Sequence, residues 1–410
     1  MRYMLYFFVY VCAVMGGVLS AQAETLTLSI AVERALQQST SLDIQHRVIQ
    51  EAEGIKTDVS ALPNPTLSYV REELSQAGGG GGEWGLSASM PIAFLWTRGP
   101  ETRIADARIQ AETLTLSYLQ DQTRFDVQRA FVEYHFAQQK YQAWKEVSVL
   151  IETAWKTGNL RYAEGDISKY EQQRIALEAL RYRRLEAESF VELSRYRRKL
   201  AFYLNQPSLD DVETILESPK SNMDIHLDTA IRGAMAHRFD LKALGAFVNA
   251  GQEAVNAEGR KRLSEANLSF GYKRQEDGFK GAVLEAEIGL PIFNRNQGKI
   301  KTAQSVLERQ RLTFSLLEKQ IQIEVSSAFD QYRLYAEQVK QFEQAHVSPN
   351  AMLDIARFAY AEGDMSLVEM LDGLQAYTEA FLSRLDLLKA FHTSKFELEK
   401  AIGQPLSELN

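Results

Sequence analysis

The chain has 410 residues, with 46 Lys and Arg against 54 Asp and Glu and a formal net charge of −8. That acidic balance speaks against a nucleic-acid partner. The single cysteine, Cys12, lies in an apolar N-terminal run. Once that run is removed, disulfides, thiolate nucleophiles and sulfur metal ligands are excluded.

Arg2, the apolar stretch Met4 to Val18 and the triplet Ala21-Gln22-Ala23 read as a secretory signal over residues 1–23, cleaved before Glu24. No later apolar run reaches the roughly 18 residues of a membrane-spanning helix, so any spanning element must be a strand. A short helix follows, with Ser29 as its cap and Ile30, Ala31, Ala35 and Leu36 as apolar positions. The next helix, Leu42 to Ala61, is ended by Pro63-Asn64-Pro65, where amide donors are missing.

The period then changes from helical to alternating. Leu67 and Tyr69 oppose Thr66 and Ser68, and Trp84, Leu86, Ala88 and Met90 oppose Gly85, Ser87 and Ser89, which predicts a hairpin with one apolar face. Gly78 to Gly82 form its connecting loop, and Pro91-Ile92 ends the pairing. From Pro100 to Thr157 no further proline or glycine interrupts a helical pattern of roughly 60 residues, about 90 Å. Pro100 suits its first turn. Ile104, Ala107, Ala111, Leu114 and Tyr118 keep the three-and-four spacing of a seam for a neighbouring helix.

That helix ends in Tyr162-Ala163-Glu164-Gly165-Asp166, and Ser168 caps a helix returning to Asn205-Gln206-Pro207. The same phrase recurs at Tyr360 to Asp364, followed by Ser366, and Gly403-Gln404-Pro405 repeats the second phrase. Both recur 198 residues on, from 162 to 360 and from 207 to 405. Two phrases at one offset indicate duplication of a whole unit, with repeats at 26–208 and 225–410 and a linker at 209–224. Gly165 and Gly363 interrupt the helices, as glycine in a left-handed turn does. In the second copy Asp228 and Asp240 cap the two short helices. Leu268, Phe270 and Tyr272, then Leu284, Ala286, Ile288 and Leu290, supply a second hairpin that exits through Pro291-Ile292 into a helix from Lys299 to Tyr360.

Four strands with one apolar face leave two open edges, which lipid does not tolerate, so several chains must share one barrel. Ser, Gly and Glu on the polar face predict an open lumen. Trp84, Trp96, Tyr69 and Tyr272 near strand ends suit a membrane interface.

With Leu62-Pro63-Asn64-Pro65-Thr66-Leu67-Ser68, the Pro-Ile exits, the two tips and the terminal Gln-Pro phrases in hand, the mature chain resembles the TolC-like outer-membrane efflux family of Gram-negative bacteria. Pro63-Asn64-Pro65, the following Leu-Ser and Glu72 are most similar to its cobalt-zinc-cadmium efflux branch. The resemblance implies a mainly α fold with a transmembrane β-barrel portion: a homotrimer with a 12-stranded barrel in the outer membrane and long coiled-coil hairpins forming an α-barrel in the periplasm. It implies a passive channel for small solutes or metal cations, working with a periplasmic adaptor and an inner-membrane RND or ABC transporter. A duct for type I protein secretion and a soluble periplasmic coiled-coil adaptor are the alternatives.

The resemblance also places Glu369 and Asp372 at the periplasmic mouth, with Tyr360 as a tether that holds it closed and Glu171 as the matching acid of the first copy. Met365 stands where the family's tether has arginine. The bland reading of these acids is helix starts that favour the dipole. The tips, Tyr162, Gly165, Asp166, Ser168, Gly363, Asp364 and Ser366, are the expected adaptor-docking surface. No Walker loop, GxSxG or HExxH occurs, and the six scattered histidines (His46, His135, His226, His237, His346 and His392) form no pair at metal-ligand spacing. Neither an enzyme, a cofactor nor a bound metal is expected. The arginine-rich stretches Arg181 to Arg184 and Arg195 to Lys199, interleaved with Glu186, Glu188 and Glu192, read as a solvated helix face.

Overall fold

The computed structural model describes residues 25–409 except 77–78, 208, 210–211, 217–224, 264, 345–353, 356–357, 361 and 363. The signal at 1–23 and Gly363 therefore lie outside the described residues. The order is β1 (Leu26–Thr27), α1 (Leu28–Gln38), α2 (Thr40–Ser60), β2 (Thr66–Gln76), β3 (Gly79–Pro91), α3 (Phe94–Glu164) and α4 (Lys169–Tyr203). The second half repeats it: β4 (Thr214–Ile215), α5 (Leu227–His237), α6 (Phe239–Arg260), β5 (Ala266–Arg274), β6 (Lys280–Ile288), α7 (Gln297–Gln344) and α8 (Leu367–Ile402). No described helix is long and apolar enough to cross a membrane.

The chain folds into two compact units that it visits alternately. One comprises the described residues of Thr40–Gln122, Asp224–Gln331 and Glu397–Asn410; the other comprises those from Thr25 to Ser39 and of Thr123–Met223 and Tyr332–Phe396. The first unit holds a four-stranded antiparallel sheet in the order β2-β3-β5-β6. Its register aligns Tyr69, Leu86, Tyr272 and Ala282 in one row and Leu67, Ala88, Phe270 and Leu284 in the next. Ser68, Ser87 and Gly271 pair on the opposite face, as do Thr66, Ser89, Ser269 and Glu285. The predicted alternation holds in these rows except at Val283, which completes the Ser68-Ser87-Gly271 row on the polar face; the glycine run expected as a loop is strand instead, Gly79 to Gly82 pairing with Gln76 to Glu73 and extending the ladder. Leu67, Phe270 and Leu284 are 73%, 65% and 72% exposed in the chain. Each such side chain left in water forgoes about 1.5–3 kcal/mol of burial, so this face is built for an apolar surround. Trp84 lies 6.4 Å from Tyr69 and 5.9 Å from Tyr272, ring to ring, an aromatic cluster at the loop end of that face.

Several helix starts differ from expectation. Thr27, not Ser29, caps α1, and its hydroxyl accepts from the Ile30 amide at 3.4 Å. Parallel pairing of β1 with β4 leaves Thr27 extended, and the helix begins one residue later. Asp228 lies inside the first turn of α5, where His226 is the cap, so its charge serves the dipole and not the cap. Asp240 likewise follows the cap residue of α6, Arg238. The largest shift is in α3, which begins at Phe94 with Pro100 inside it. Pro100 has no amide for the Trp96 carbonyl four residues back, and Arg260 Nη1 reaches that carbonyl at 3.5 Å instead. Trp96 does not join the aromatic cluster; its indole nitrogen donates to the Leu263 carbonyl at 2.9 Å.

Among its described residues, β1 and β4 are the strands of the second unit and helices make up most of the rest. One core cluster joins Val127, Phe131 and Tyr134 of α3 to Leu200 and Ala201 of α4 and to Leu204, which caps that helix, and another joins Phe125, Val132 and Phe136 of α3 to Leu385 and Phe396 of α8. His392 is buried in this unit, with its ring against Phe136 and Phe391. Burial, then Lys395 and His135, push its pKa down to about 4. A folded pKa below the ordinary histidine value means that the neutral form is favoured by folding. The stability it confers is complete above about pH 6.5 and is lost as pH falls toward 4, about 3 kcal/mol in all. His392→Phe is expected to flatten the melting temperature of purified protein between pH 6.5 and 4.5; an unchanged acid limb would show that another group titrates.

Candidate functional site

Both helical tips lie in the second unit and share one construction. At the first, Gly165 has φ +85°, its amide donates to the Tyr162 carbonyl at 3.1 Å, and the Asp166 amide donates to the Arg161 carbonyl at 2.8 Å. These two bonds close the end of α3, and the positive φ is one that glycine adopts without strain. At the second, the Asp364 amide donates to the Ala359 carbonyl at 2.9 Å, the same reach of five residues back.

The return helices start alike. The Ser168 hydroxyl accepts from the Glu171 amide at 3.2 Å, while the Ser168 amide donates to Glu171 Oε2 at 2.8 Å. Ser366 and Glu369 make the same reciprocal pair at 3.3 and 2.9 Å. Each is a capping box, and both satisfy amides that no helical carbonyl reaches. The Ser168 backbone and hydroxyl hold the Glu171 carboxyl below the ordinary carboxylate range; the Ser366 hydroxyl and backbone do so for Glu369. Both acids are therefore charged at neutral pH and already hydrogen-bonded.

Behind the tips a core cluster gathers Trp144, Val147, Ile151 and Ala154 of α3, Ile175 and Tyr182 of α4, and Leu367, Met370, Leu371, Leu374 and Tyr377 of α8. Tyr360 and Met365 pack against it. Met365 is thus apolar filling at a position where an arginine would meet a buried surface. Burial raises the Tyr360 phenol, Arg161 acts to lower it and Glu171 to raise it, so the tyrosine of the second tip stands near both charges of the first. Tyr162 is exposed, as are Asp166 and Asp364.

Asp372 is exposed, one turn beyond Glu369. Glu379 and Asp386 follow it at steps of seven and are also exposed, so α8 carries an acidic stripe on the side away from its buried Met370, Leu374 and Tyr377. This stripe and Arg161 escaped the sequence reading, although the seven-residue spacing was legible. At the repeat offset of 198, Arg174 and Arg181 of α4 stand where α8 has Asp372 and Glu379. The two copies have kept the tip geometry and reversed the charge over the next two steps, while the third, Asp386 against Glu188, keeps its sign. Among the described residues no group of three or more His, Cys, Asp or Glu could hold a metal ion.

No protein-family model matches the chain. It is 22% identical over 396 residues to the cobalt-zinc-cadmium resistance protein CzcC of Cupriavidus metallidurans, covering 93% of this chain and 91% of that protein. It superposes on a crystal structure of CusC, described for its transmembrane channel formation, with a TM-score of 0.73 at 17% identity, over 92% of each chain. It also superposes on the CmeC outer membrane channel of Campylobacter jejuni, with a TM-score of 0.75 at 16% identity, over 92% of this chain and 85% of that one. The chain therefore has the fold of the TolC-like outer-membrane channels over nearly its whole length.

Proposed function

We propose that this chain is the outer-membrane component of a tripartite efflux system, a passive homotrimeric duct that receives small solutes or metal cations from an inner-membrane pump through a periplasmic adaptor. The observation that carries this reading is the sheet: four strands with one exposed apolar face, one polar face and two open edges, flanked by duplicated helical hairpins. Three such sheets close a barrel with no edge left in lipid, its polar face enclosing water. The name of the CzcC relative makes divalent transition-metal cations the first cargo to test. Outer-membrane fractionation is the direct check, since a soluble periplasmic monomer would leave the adaptor reading in its place.

The tips dock the adaptor and the acids behind them line the mouth. Glu369 and Asp372 of three chains place six carboxylates near one axis, and like charges held together attract cations. Glu369→Gln combined with Asp372→Asn is expected to reduce cation selectivity and block by multivalent cations in planar bilayers. Glutamine still serves a capping box, so the start of α8 survives the change. Glu171→Gln is expected to alter selectivity little, because Arg174 already offsets the acid of that copy. Unchanged selectivity in the double variant would reduce these acids to helix caps.

A further inference from the structure

Where the strands give way to helices, the first unit leaves a band of apolar side chains in the open. Leu62 precedes β2, Leu95 follows β3, Leu263 precedes β5, and Leu290, Ile292 and Phe293 follow β6; their exposures run from 46% at Leu263 to 91% at Phe293. Leu290, two residues past Ile288, prolongs the period of Leu284, Ala286 and Ile288, so the band continues the apolar face of the sheet. The turn that carries Phe293 is braced. Asn296, at φ +58°, donates from Nδ2 to the Glu258 carbonyl at 2.8 Å and to Glu258 Oε2 at 2.7 Å. Its amide donates to Asn294 Oδ1 at 3.0 Å, and the Arg295 amide to Gln297 Oε1 at 2.7 Å.

Cations border this band on the helix side. The Trp96 indole on the Leu263 carbonyl, Arg260 on the Trp96 carbonyl and Asn296 on Glu258 fix the heights of α3, α6 and α7 against one another. Arg98, Arg262, Arg295 and Lys299 therefore lie within about two turns along the helices, roughly 11 Å. Leu95 and Arg98, three residues apart, share one face of α3. All four cations are exposed and form no ion pair among the described residues. The acids at this height, Glu101 and Glu258, are taken by Lys261 at 2.9 and 3.2 Å. Glu265 and Asp58, exposed at the margins, leave the sign positive, on a chain whose net charge is −8.

We propose that this junction binds the phosphodiester headgroups of anionic phospholipids in the periplasmic leaflet of the outer membrane, with Arg98, Arg262, Arg295 and Lys299 on the phosphates and Leu95, Leu290 and Phe293 among the acyl chains above them. Apolar groups bordered by cations match the order in which a leaflet presents its chains and its charge. The occupant is lipid and not another copy, because copies related by an axis along the helices meet at equal heights, and at this height Glu101 and Glu258 are already paired. A class of lipid is thereby added to the outer-membrane reading, on which it rests.

Native mass spectrometry of the purified full-length protein, in detergent with equal amounts of phosphatidylglycerol and phosphatidylcholine, reads the preference. Phosphatidylglycerol is expected to be retained about tenfold over phosphatidylcholine at low salt, and the preference to collapse in about 0.5 M salt. Arg98→Gln, Arg262→Gln, Arg295→Gln and Lys299→Gln together are expected to abolish it. Lys242→Gln with Arg311→Gln, cations of the same unit at least about 18 Å farther along the helices, are expected to leave it intact. Equal retention of the two lipids, a preference that survives the quadruple change, or displacement of lipid by inorganic phosphate at matched concentration would each overturn the proposal. A measurement that keeps all four cations uses the absence of cysteine beyond Cys12 in the predicted signal. A fluorophore on Phe293→Cys, in phosphatidylglycerol nanodiscs, is expected to be quenched by brominated acyl chains. A labelled oligomer without quenching would place another copy over the band and leave the channel reading intact, whereas a protein soluble without detergent would overturn both.

Discussion

Gly165→Pro is expected to abolish transport while the chain still folds, reaches the membrane and assembles. The position sits at φ +85°, and its amide closes the end of α3 on the Tyr162 carbonyl. Proline fixes φ near −65° and has no amide, so both features are lost together, at a local cost of about 3 kcal/mol. The strain is confined to the turn between α3 and α4, because the nearest core residues, Ile151, Ala154 and Ile175, are tied to the hairpin by their own packing. Space is not the issue, since a Cβ at Gly165 would meet nothing within 4 Å. Gly165→Asn, a residue that tolerates the left-handed region, is expected to retain most of the transport. Metal-resistance or dye-efflux assays beside native gels separate the outcomes. Normal transport by the proline variant would show that the tip is not a docking surface, and loss of the trimer would show that the turn holds the assembly.

Arg238→Ala should destabilise the sheet-bearing unit by about 3–5 kcal/mol, the range for a buried ion left without its partner. Arg238 is 9% exposed. Its guanidinium pairs with both oxygens of Asp240, at 3.0 and 2.6 Å, and with Glu324 Oε2 at 2.5 Å. Asp240 is itself largely buried, and its Oδ1 also accepts from the Leu241 amide at 2.9 Å, satisfying an orphan donor at the start of α6. Glu324 is half exposed and screened, so the Asp240 pair carries most of the effect. The residue is also packed by shape: a Cβ on Gly403, at φ +80°, would come within 3.1–3.2 Å of Arg238. Arg238→Met with Asp240→Asn removes both charges and keeps an acceptor for Leu241. It is expected to recover most of the loss in chemical denaturation of the purified protein. Equal destabilisation by the single and double variants would mean that the arginine acts through its packing alone.

The long elements were legible because their periods are long and uninterrupted. The 198-residue offset located both tips, and the alternation at Leu67, Tyr69, Phe270 and Leu284 located the sheet faces that the register now aligns. The Ser-x-x-Glu spacing at Ser168 and Ser366 carried the capping boxes, although the sequence alone offers these glutamates a place at a mouth or beside a helix dipole and not the cap itself. What escaped depended on partners distant in sequence. Thr27 caps α1 because β4, nearly two hundred residues on, pairs with its strand. Pro100 is tolerated inside α3 because Arg260 reaches the carbonyl it orphans. Arg238 gains its role from Asp240 and Glu324 together, and no local pattern announces that. The acidic stripe on α8 has a step of seven as readable as the apolar seams, but charges at that step are also what any solvated helix face carries.

The sheet ends at β2 on one side and β6 on the other, each with a row of main-chain donors and acceptors facing outward. In hydrocarbon those groups have no solvent to turn to, so under the trimeric channel proposed above insertion and association become a single event. Protein concentration then enters the equilibrium constant for folding, and a melting temperature measured at one dilution does not carry over to another. Under the same proposal, the edges are most hazardous before the copies associate, when a strand from any neighbour would fit as well as the right one.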